Sequence, residues 1–539
     1  MAAIYGTLFG TTTVLLLLLL LPVYVAGYVV YQLRFHPLAR YPGPVLGRVT
    51  KLHDLYHAYK GDKHVTLYQL HRKYGTIVRF SPNTLSINDS AALKAIYSHG
   101  ANVEKGELYK CFRAAPNAVS TLLATEKDQH ARKRRVMGQA FSDQALRGLE
   151  QYVQEHVQKL VDKVGGTVAQ PVKDGKGWSG PVDMRSWCNW VVFDIMGDLV
   201  FGKSFGTLGE KPENREGIRL LGRAARRNYT VAAMPELLHY KLERWLPPFR
   251  GLYQDRAKYL AFGKKQVMAR LKDQADGVTE AGRKDIFSFL LSAKDPETGE
   301  GFPMPEIMME GNTLIVAGSD TSSTTLAATL YYLTSNLQTL HRLQKEIRDT
   351  FSSPDHIRHG PQLQSCTYLR ACIDESMRMT PAVPGLLPRV VLPGGLQIPA
   401  LGLDLPAGIN VGCCIYALHH HEDYVVDSFT YDPSRWLKGE GHKQDKEALQ
   451  AVFNPFSIGN RSCLGKPLVY MELGVAIARL VWEFDLRLAG EQFVDAGIRR
   501  EVEEGRRRRE EYQVQDWFLS NNFGPWVEFR KREGLVDVS

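Results

Sequence analysis

Phe456-Ser457-Ile458-Gly459-Asn460-Arg461-Ser462-Cys463-Leu464-Gly465 is the stretch that decides how this chain is read. A single cysteine stands between a glycine-containing turn and an apolar run, Leu468 to Trp482, that reads as a helix. At that junction the backbone N–H groups after Cys463 can point at its sulfur, and the N-terminal end of the helix favours negative charge. The place suits a thiolate, a soft, electron-rich ligand for iron of the kind used where O–O bonds are cleaved. Gly459 permits a backbone conformation that a side chain would penalise. Gly465 removes a side chain where the backbone would approach a flat group. Arg461 offers a planar fork of donors for a carboxylate, and Phe456 can shield one side of the sulfur from water. The opposing reading is a buried small hydrophobe in a loop, the usual fate of a lone cysteine. At ~1 in 20 per fixed position, Phe-x-x-Gly-x-Arg-x-Cys-x-Gly arises by chance in roughly one of several thousand chains this long, which favours the ligand.

The rest of the chain bounds what such a ligand could serve. Its 539 residues give ample length for one large core, and 44% hydrophobic with 23% charged residues is ordinary for a globular protein. A net charge of +9 fits an anionic membrane surface or an acidic protein partner better than nucleic acid. Seven cysteines, an odd number without framework spacing, point to reduced thiols and a cytosolic setting.

Residues 1–33 carry no charge, and Leu8 to Tyr31 is long enough to span a bilayer, which needs ~20 residues. A cleaved signal peptide would want a basic start and a shorter apolar core. Arg34, Arg40, Arg48 and Lys51 follow the span, so the remainder is expected in the cytosol and the sequons at Asn88, Asn228 and Asn460 are expected to stay unmodified. His36 to Pro44 holds three prolines and reads as a stiff elbow. Thr76–Phe80 and Thr84–Ile87 alternate around Ser81-Pro82-Asn83 as a hairpin. The pattern from Asp89 to Arg348 is mostly helical. Short strands are expected between Pro393-Gly394-Gly395 and Pro406-Ala407-Gly408. The charged run Glu503 to Glu511 reads as a solvated loop, and no nucleic-acid-binding fold accompanies it.

Asn312 to Leu333 reads as one long helix. Asp320 and a run of hydroxyl side chains argue against a second span and for a buried helix over a cofactor. Gly318 would leave room for a diatomic molecule. Asp320 and Thr321 supply the carboxyl and hydroxyl groups that a proton relay needs, although a threonine can instead bond back to its own helix. Glu375 and Arg378 lie at i, i+3 on one helix face. His419-His420-His421 lacks the partners and spacing of a zinc site. His130 and Arg134, one helical turn apart, share a face.

In order along the chain, these stretches resemble the hinge, oxygen-activation helix, Glu-x-x-Arg helix and cysteine loop of the haem-thiolate monooxygenases, the cytochrome P450 family. The hinge and general texture look most like filamentous-fungal microsomal members of secondary metabolism. The resemblance implies a mainly α fold with a small β region, preceded by one transmembrane helix: residues 1–33 as anchor, 34–48 as hinge and 49–539 as the catalytic domain. It implies haem b on Cys463, with Phe456 and Gly465 beside it and propionates held by His130, Arg134, Arg389 and Arg461. His130 stands where the family usually has tryptophan. Arg435, in Pro433-Ser434-Arg435-Trp436, matches the third member of a lock with Glu375 and Arg378. Substrate contacts are expected at Val316, Ala317, Val383, Leu386, Leu387, Phe518 and Phe523.

The implied reaction takes one oxygen from O2 into a lipophilic terpenoid, polyketide or alkaloid. Electrons would come indirectly from NADPH through a cytochrome reductase, with cytochrome b5 as a further donor, at the endoplasmic reticulum membrane and in contact with its lipid. A haem-thiolate isomerase or dehydratase that needs no O2 and a membrane-tethered haem-binding sensor are the alternatives. The Asp320-Thr321 pair speaks for oxygen chemistry.

Overall fold

The computed structural model describes residues 20–532 apart from 116, 170–176, 210, 278–284, 441–443, 491–505, 507 and 509. The helices that position the site are α1 (Lys127–Gly138), α2 (Met184–Phe201), α3 (Glu216–Ala233), α4 (Pro247–Ala275), α5 (Met304–Ser335), α6 (Thr367–Met379) and α7 (Lys466–Glu483). The central one is α5. It starts eight residues before the expected Asn312 because Pro303 caps it and Pro305 sits in its first turn, where a missing N–H costs nothing. Every residue from Ser322 to Thr334 is buried, the mark of a helix packed on all sides. Three of its threonines satisfy their hydroxyls on their own helix, Thr325 on the Thr321 carbonyl (3.0 Å), Thr329 on Thr325 (2.8 Å) and Thr334 on Leu330 (2.7 Å), while Thr324 donates to the Ser520 carbonyl (3.0 Å).

The β structure is small. Strands β1 (Ile77–Ser81), β2 (Thr84–Ile87), β3 (Val103–Lys105), β4 (Arg389–Val391) and β5 (Asn410–Gly412) form one sheet in the order β1-β2-β5-β4-β3, antiparallel except for β2 with β5. Its register places Lys105 directly opposite Arg389. The strands read beside Pro393 and Pro406 are the hairpin Leu396–Ile398 with Leu403–Leu405. A further hairpin, β6 (Val514–Trp517) with β7 (Leu519–Asn522), turns at Phe518, whose φ of +73° swings its ring inward.

At the N-terminal end, residues 20–30 are helical with exposed apolar side chains and run into a π-helical turn, Tyr31–Phe35. Most of the stretch read as an anchor lies outside the described residues, and no helix among those described is long and apolar enough to cross a membrane. The proline-rich segment is seated on the sheet. Leu38 and Tyr41 are buried, the Arg79 amide donates to the Pro42 carbonyl (2.8 Å), and a Cβ on Gly43 would lie 2.0 Å from the Arg79 carbonyl oxygen. The loop expected to be solvated is a correction. Residues 503–505, 507 and 509 lie outside the described residues, but Arg506 is buried and donates to the carbonyls of Val514 (2.9 Å) and Gly61 (3.1 Å). Arg508 lies over the Phe429 ring, and Glu511 accepts from the Tyr416 hydroxyl (2.5 Å). Orphan carbonyls and a buried phenol outweigh the solvation of this charge-rich segment.

Candidate active site

The cysteine loop is shaped by its backbone. Ser457 and Gly459 take φ of +56° and +70°, and Gly459–Arg461 forms one tight turn. A Cβ on Gly459 would lie 2.1 Å from the Tyr97 carbonyl oxygen, so the loop reaches its seat only with glycine there. The Cys463 amide donates to the Phe456 carbonyl (2.8 Å), and the amides of Gly465 and Lys466 point at the sulfur. Burial pushes the thiol pKa up; those amides and Arg134 pull it part of the way back. The other six cysteines are buried, whereas Cys463 has exposed area that opens onto an interior cavity of about 360 Å³. Above Gly465 a Cβ would meet nothing nearer than the sulfur itself, at 3.7 Å. The ring of Phe456 lines the cavity beside the sulfur and packs against Tyr470 (5.5 Å).

Four cations converge on one wall of that cavity: Lys105 on β3, Arg134 on α1, Arg389 on β4 and Arg461 in the loop. Arg134 donates to Ser462 O (2.6 Å) and Oγ (3.2 Å), Arg461 to the Ala124 (2.6 Å) and Thr125 (2.7 Å) carbonyls, Arg389 to the Tyr109 hydroxyl (3.2 Å), and Lys105 to the Leu122 carbonyl. None of the four pairs with a carboxylate among the described residues. Burial and mutual repulsion lower the Arg461 pKa to about 10 and that of Lys105 well below its ordinary value. His130 lines the same wall. Burial and then Arg461 push its pKa down to about 3, so it is neutral and offers one N–H donor. Lys105 was not read from the sequence; only its register opposite Arg389 brings it here.

Behind the loop lies the expected lock. Glu375 is fully buried and accepts from Arg378 Nε (2.9 Å) and Nη2 (2.8 Å), Arg435 Nε (2.9 Å) and the Asp432 amide (3.1 Å). Burial alone would raise its pKa, but Arg378 and Arg435 bring it below the usual value. Trp436 Nε1 adds a bond to Glu375 (2.9 Å), a partner missed although it adjoins Arg435. His419 links lock and loop: it accepts from the Asn454 amide at Nε2 (3.1 Å) and donates from Nδ1 to the Arg378 carbonyl (3.1 Å).

This arrangement has relatives. The family profile described as cytochrome P450 matches residues 37–499. The chain is 39% identical to "Cytochrome P450 monooxygenase AKT7" of Alternaria alternata, over 97% of this chain and 98% of that one. It is 36% identical to "Cytochrome P450 monooxygenase poxM" of Penicillium oxalicum, over 94% and 93%, and 37% identical to "Cytochrome P450 monooxygenase atnE" of Emericella nidulans, over 94% and 94%. The chain belongs to the cytochrome P450 family. It is a haem-thiolate monooxygenase of that family, supplied with electrons from NADPH through a reductase.

The residues present fit a P450 haem. One accessible thiol faces a cavity whose wall holds four basic side chains that pair with no carboxylate among the described residues, the donor set for a flat group with two propionates. To the same cavity α5 supplies Val316, Ala317 and Thr321. The Thr321 hydroxyl donates to the Ala317 carbonyl (2.5 Å). Asp320 faces away, into a small polar pocket with Arg185, Asn189 and Asn521. Burial raises its pKa to about 7, partly offset by Arg185. Gly318 is a correction. A Cβ there would lie 2.4 Å from Met196 Cε, so the missing side chain accommodates α2 and does not simply leave open room.

Val383, Leu387 and Phe518 line the cavity as expected, whereas Leu386 and Phe523 do not. Leu386 alternates to the other face through its bridge with Cys414 and packs in a separate apolar cluster with Leu67, Tyr68 and Tyr416. Phe523 lies beyond the hairpin turn, under the Arg185 guanidinium (5.7 Å). One further residue was missed. Glu472 on α7 lines the cavity with both carboxyl oxygens unpartnered, near an equally unpartnered Ser322 hydroxyl. Burial raises its pKa to about 8, so it is a neutral acid. The visible signal was a lone acid in the apolar run Leu468 to Trp482.

Proposed function

We propose that this P450 inserts one oxygen atom of O2 into an unactivated C–H bond or an alkene of a lipophilic small molecule, as a tailoring step in fungal secondary metabolism. The observation that carries the reading is the meeting of Cys463, the four-cation wall and the Ala317–Thr321 segment on one apolar-lined cavity. When bound, haem b supplies reductive cleavage of O2, the second oxygen leaving as water. Cys463 is the assigned iron ligand, with the Gly465 and Lys466 amides aimed at its sulfur. Arg134, Arg389, Arg461 and His130 are assigned to the propionates. Glu375, Arg378 and Arg435 hold the backbone from which the loop projects.

On the distal side, Thr321 keeps its proton on the Ala317 carbonyl and presents its remaining lone pair to the cavity. Asp320, half protonated near neutral pH, holds a proton on the outer side of the same helix turn. The pair thus spans α5 with an acid outside and an alcohol inside, the arrangement a proton relay requires. Val316, Val383, Leu387 and Phe518 exclude water and offer dispersion contacts to an apolar substrate.

The reading extends to a single-pass anchor within residues 1–33, a hinge at 34–48, a catalytic domain at 49–539 facing the cytosol from the endoplasmic reticulum, and cytochrome b5 as an additional partner. In its support, Val45, Leu46, Leu52 and Tyr56 expose apolar surface, as do Tyr240 and Trp245, the latter 80% exposed. A Lys51–Glu236 ion pair (2.7 Å) draws the two segments together. An apolar patch with aromatic side chains beside the exposed helix at 20–30 suits a bilayer surface. Product formed under 18O2 tests the chemistry. One labelled oxygen is expected, and an unlabelled product would establish an isomerase or dehydratase instead.

A further inference from the structure

Away from the haem-side wall, the cavity roof is built by α3 and α4, which contribute Asn228 and Arg256. Arg256 donates from Nε to Asn228 Oδ1 (2.9 Å) and from Nη2 to the Arg113 carbonyl (2.7 Å). It forms no ion pair with a carboxylate among the described residues. Its neighbour Arg227 pairs with Glu243 through Nε (2.7 Å) and Nη2, and the adjacent Asp255 is taken by Arg223. Asn228 Oδ1 also accepts from Arg227 Nη1 (3.1 Å), so a neutral amide stands between two guanidiniums of which Arg227 alone is paired with a carboxylate among the described residues. Burial and then the Arg227 charge lower the Arg256 pKa to about 10, a cation short of an anion.

The other charged groups on the cavity are accounted for. Arg134, Arg389 and Arg461 would hold the propionates of a bound haem, and Lys105 stands opposite Arg389 on the same wall. Glu310 on α5 accepts from the Thr121 amide (2.6 Å) and hydroxyl (2.8 Å) and lies 3.9 Å from Lys133, while Glu472 is neutral. Arg256 shares no hydrogen bond with any of them. What remains on the roof is a positive charge with two donors, Arg256 Nη1 and Asn228 Nδ2, that no protein acceptor among the described residues takes. Phe112, Leu221, Ala224, Tyr259 and Leu260 surround them with apolar surface. In such surroundings a charge-assisted bond to an incoming anion is strong, because little water competes for it.

We propose that the roof is a carboxylate subsite in which Arg256, with the Asn228 amide, holds an acid group of the lipophilic substrate while its apolar body extends toward Ala317 and Thr321. The proposal rests on the monooxygenase reading and narrows its substrate class to lipophilic acids. A neutral terpene or an amine would bring Arg256 no counter-ion, and an amine would be repelled by it.

Equilibrium dialysis on the haem-loaded, full-length enzyme tests this with dodecanoic and hexadecanoic acid against the alcohols of the same lengths. Wild type is expected to bind the acids about tenfold to a hundredfold more tightly than the alcohols, the range of one charge-assisted contact. Arg256→Gln should erase that preference and leave alcohol affinity unchanged, while Arg256→Lys keeps part of it. The reduced carbon-monoxide difference spectrum, recorded on each variant, verifies an intact thiolate site. Equal binding of acids and alcohols by wild type, no binding of any acid, or an acid preference that survives in Arg256→Gln would overturn the proposal. Each of these outcomes, with the carbon-monoxide band intact, leaves the monooxygenase reading standing. An unlabelled product under 18O2 would remove that reading while the acid preference remained measurable.

Discussion

Glu375 and Glu472 sit on helices that pack against each other, α6 and α7, and both are buried, yet they are held in opposite states. Glu375 receives donors from two arginines, a tryptophan and a backbone amide, and is held as a carboxylate. Glu472 has only the Ser322 hydroxyl beside it and no cation paired with it among the described residues, and burial holds it as a neutral acid with a pKa of about 8. The same side chain serves two ends. Behind the loop, charge is compensated so that geometry is fixed; at Glu472, charge is suppressed so that this side chain presents no anion to the cavity. Burial decides the cost, and partners decide which state bears it.

Four experiments break or sharpen this contrast. The largest effect is expected at the loop itself: Cys463→Ala should abolish the red-shifted Soret band of the reduced carbon-monoxide complex. A retained band would remove Cys463 as ligand. Next is the compensated region, where Glu375→Ala leaves two buried arginines unpaired. It should cost about 3–5 kcal/mol, read as a lowered unfolding midpoint together with haem loss. A variant as stable as wild type would show that the lock does not support the loop.

Thr321→Ala is expected to keep haem and fold but to lower the fraction of consumed NADPH recovered in product by about tenfold to a hundredfold. Unchanged coupling would return Thr321 to the role of a helix-bonded side chain. The smallest effect is at Glu472, and its sign distinguishes the two glutamates. Glu375, with its pKa lowered, contributes stability that is present above its unfolded value and lost as pH falls through the folded one. Glu472, with its pKa raised from an unfolded value near 4.3 to about 8, makes the protein less stable as pH climbs between them. Glu472→Gln should therefore flatten the alkaline limb and stabilise the protein at pH 9 by about 1–3 kcal/mol, measured by denaturant titration. A limb as steep as that of wild type would place the titrating group elsewhere.

How much was legible in advance differs by the kind of contact. The Cys463 loop, the Glu375–Arg378 spacing and the hydroxyl-rich α5 were readable because each depends on residues within a few positions of one another. A turn, a helix face and a helix junction are local geometry. Leu386 was misplaced because a single β-bridge sets which side of an alternating segment faces inward. Arg506 was misread because the carbonyls of Val514 and Gly61 that bind it come together only in the folded chain.

The sequence by itself determined the family, the ligand loop, the lock and the central helix, since short-range spacing carries them. The tertiary structure alone decided that Lys105 stands opposite Arg389, that Gly318 makes way for Met196, that Glu472 is neutral, and that Arg256 meets the cavity without an acid of its own among the described residues. These are outcomes of burial and of partners distant in the chain, which set the energy of a charge and leave no periodic trace in sequence.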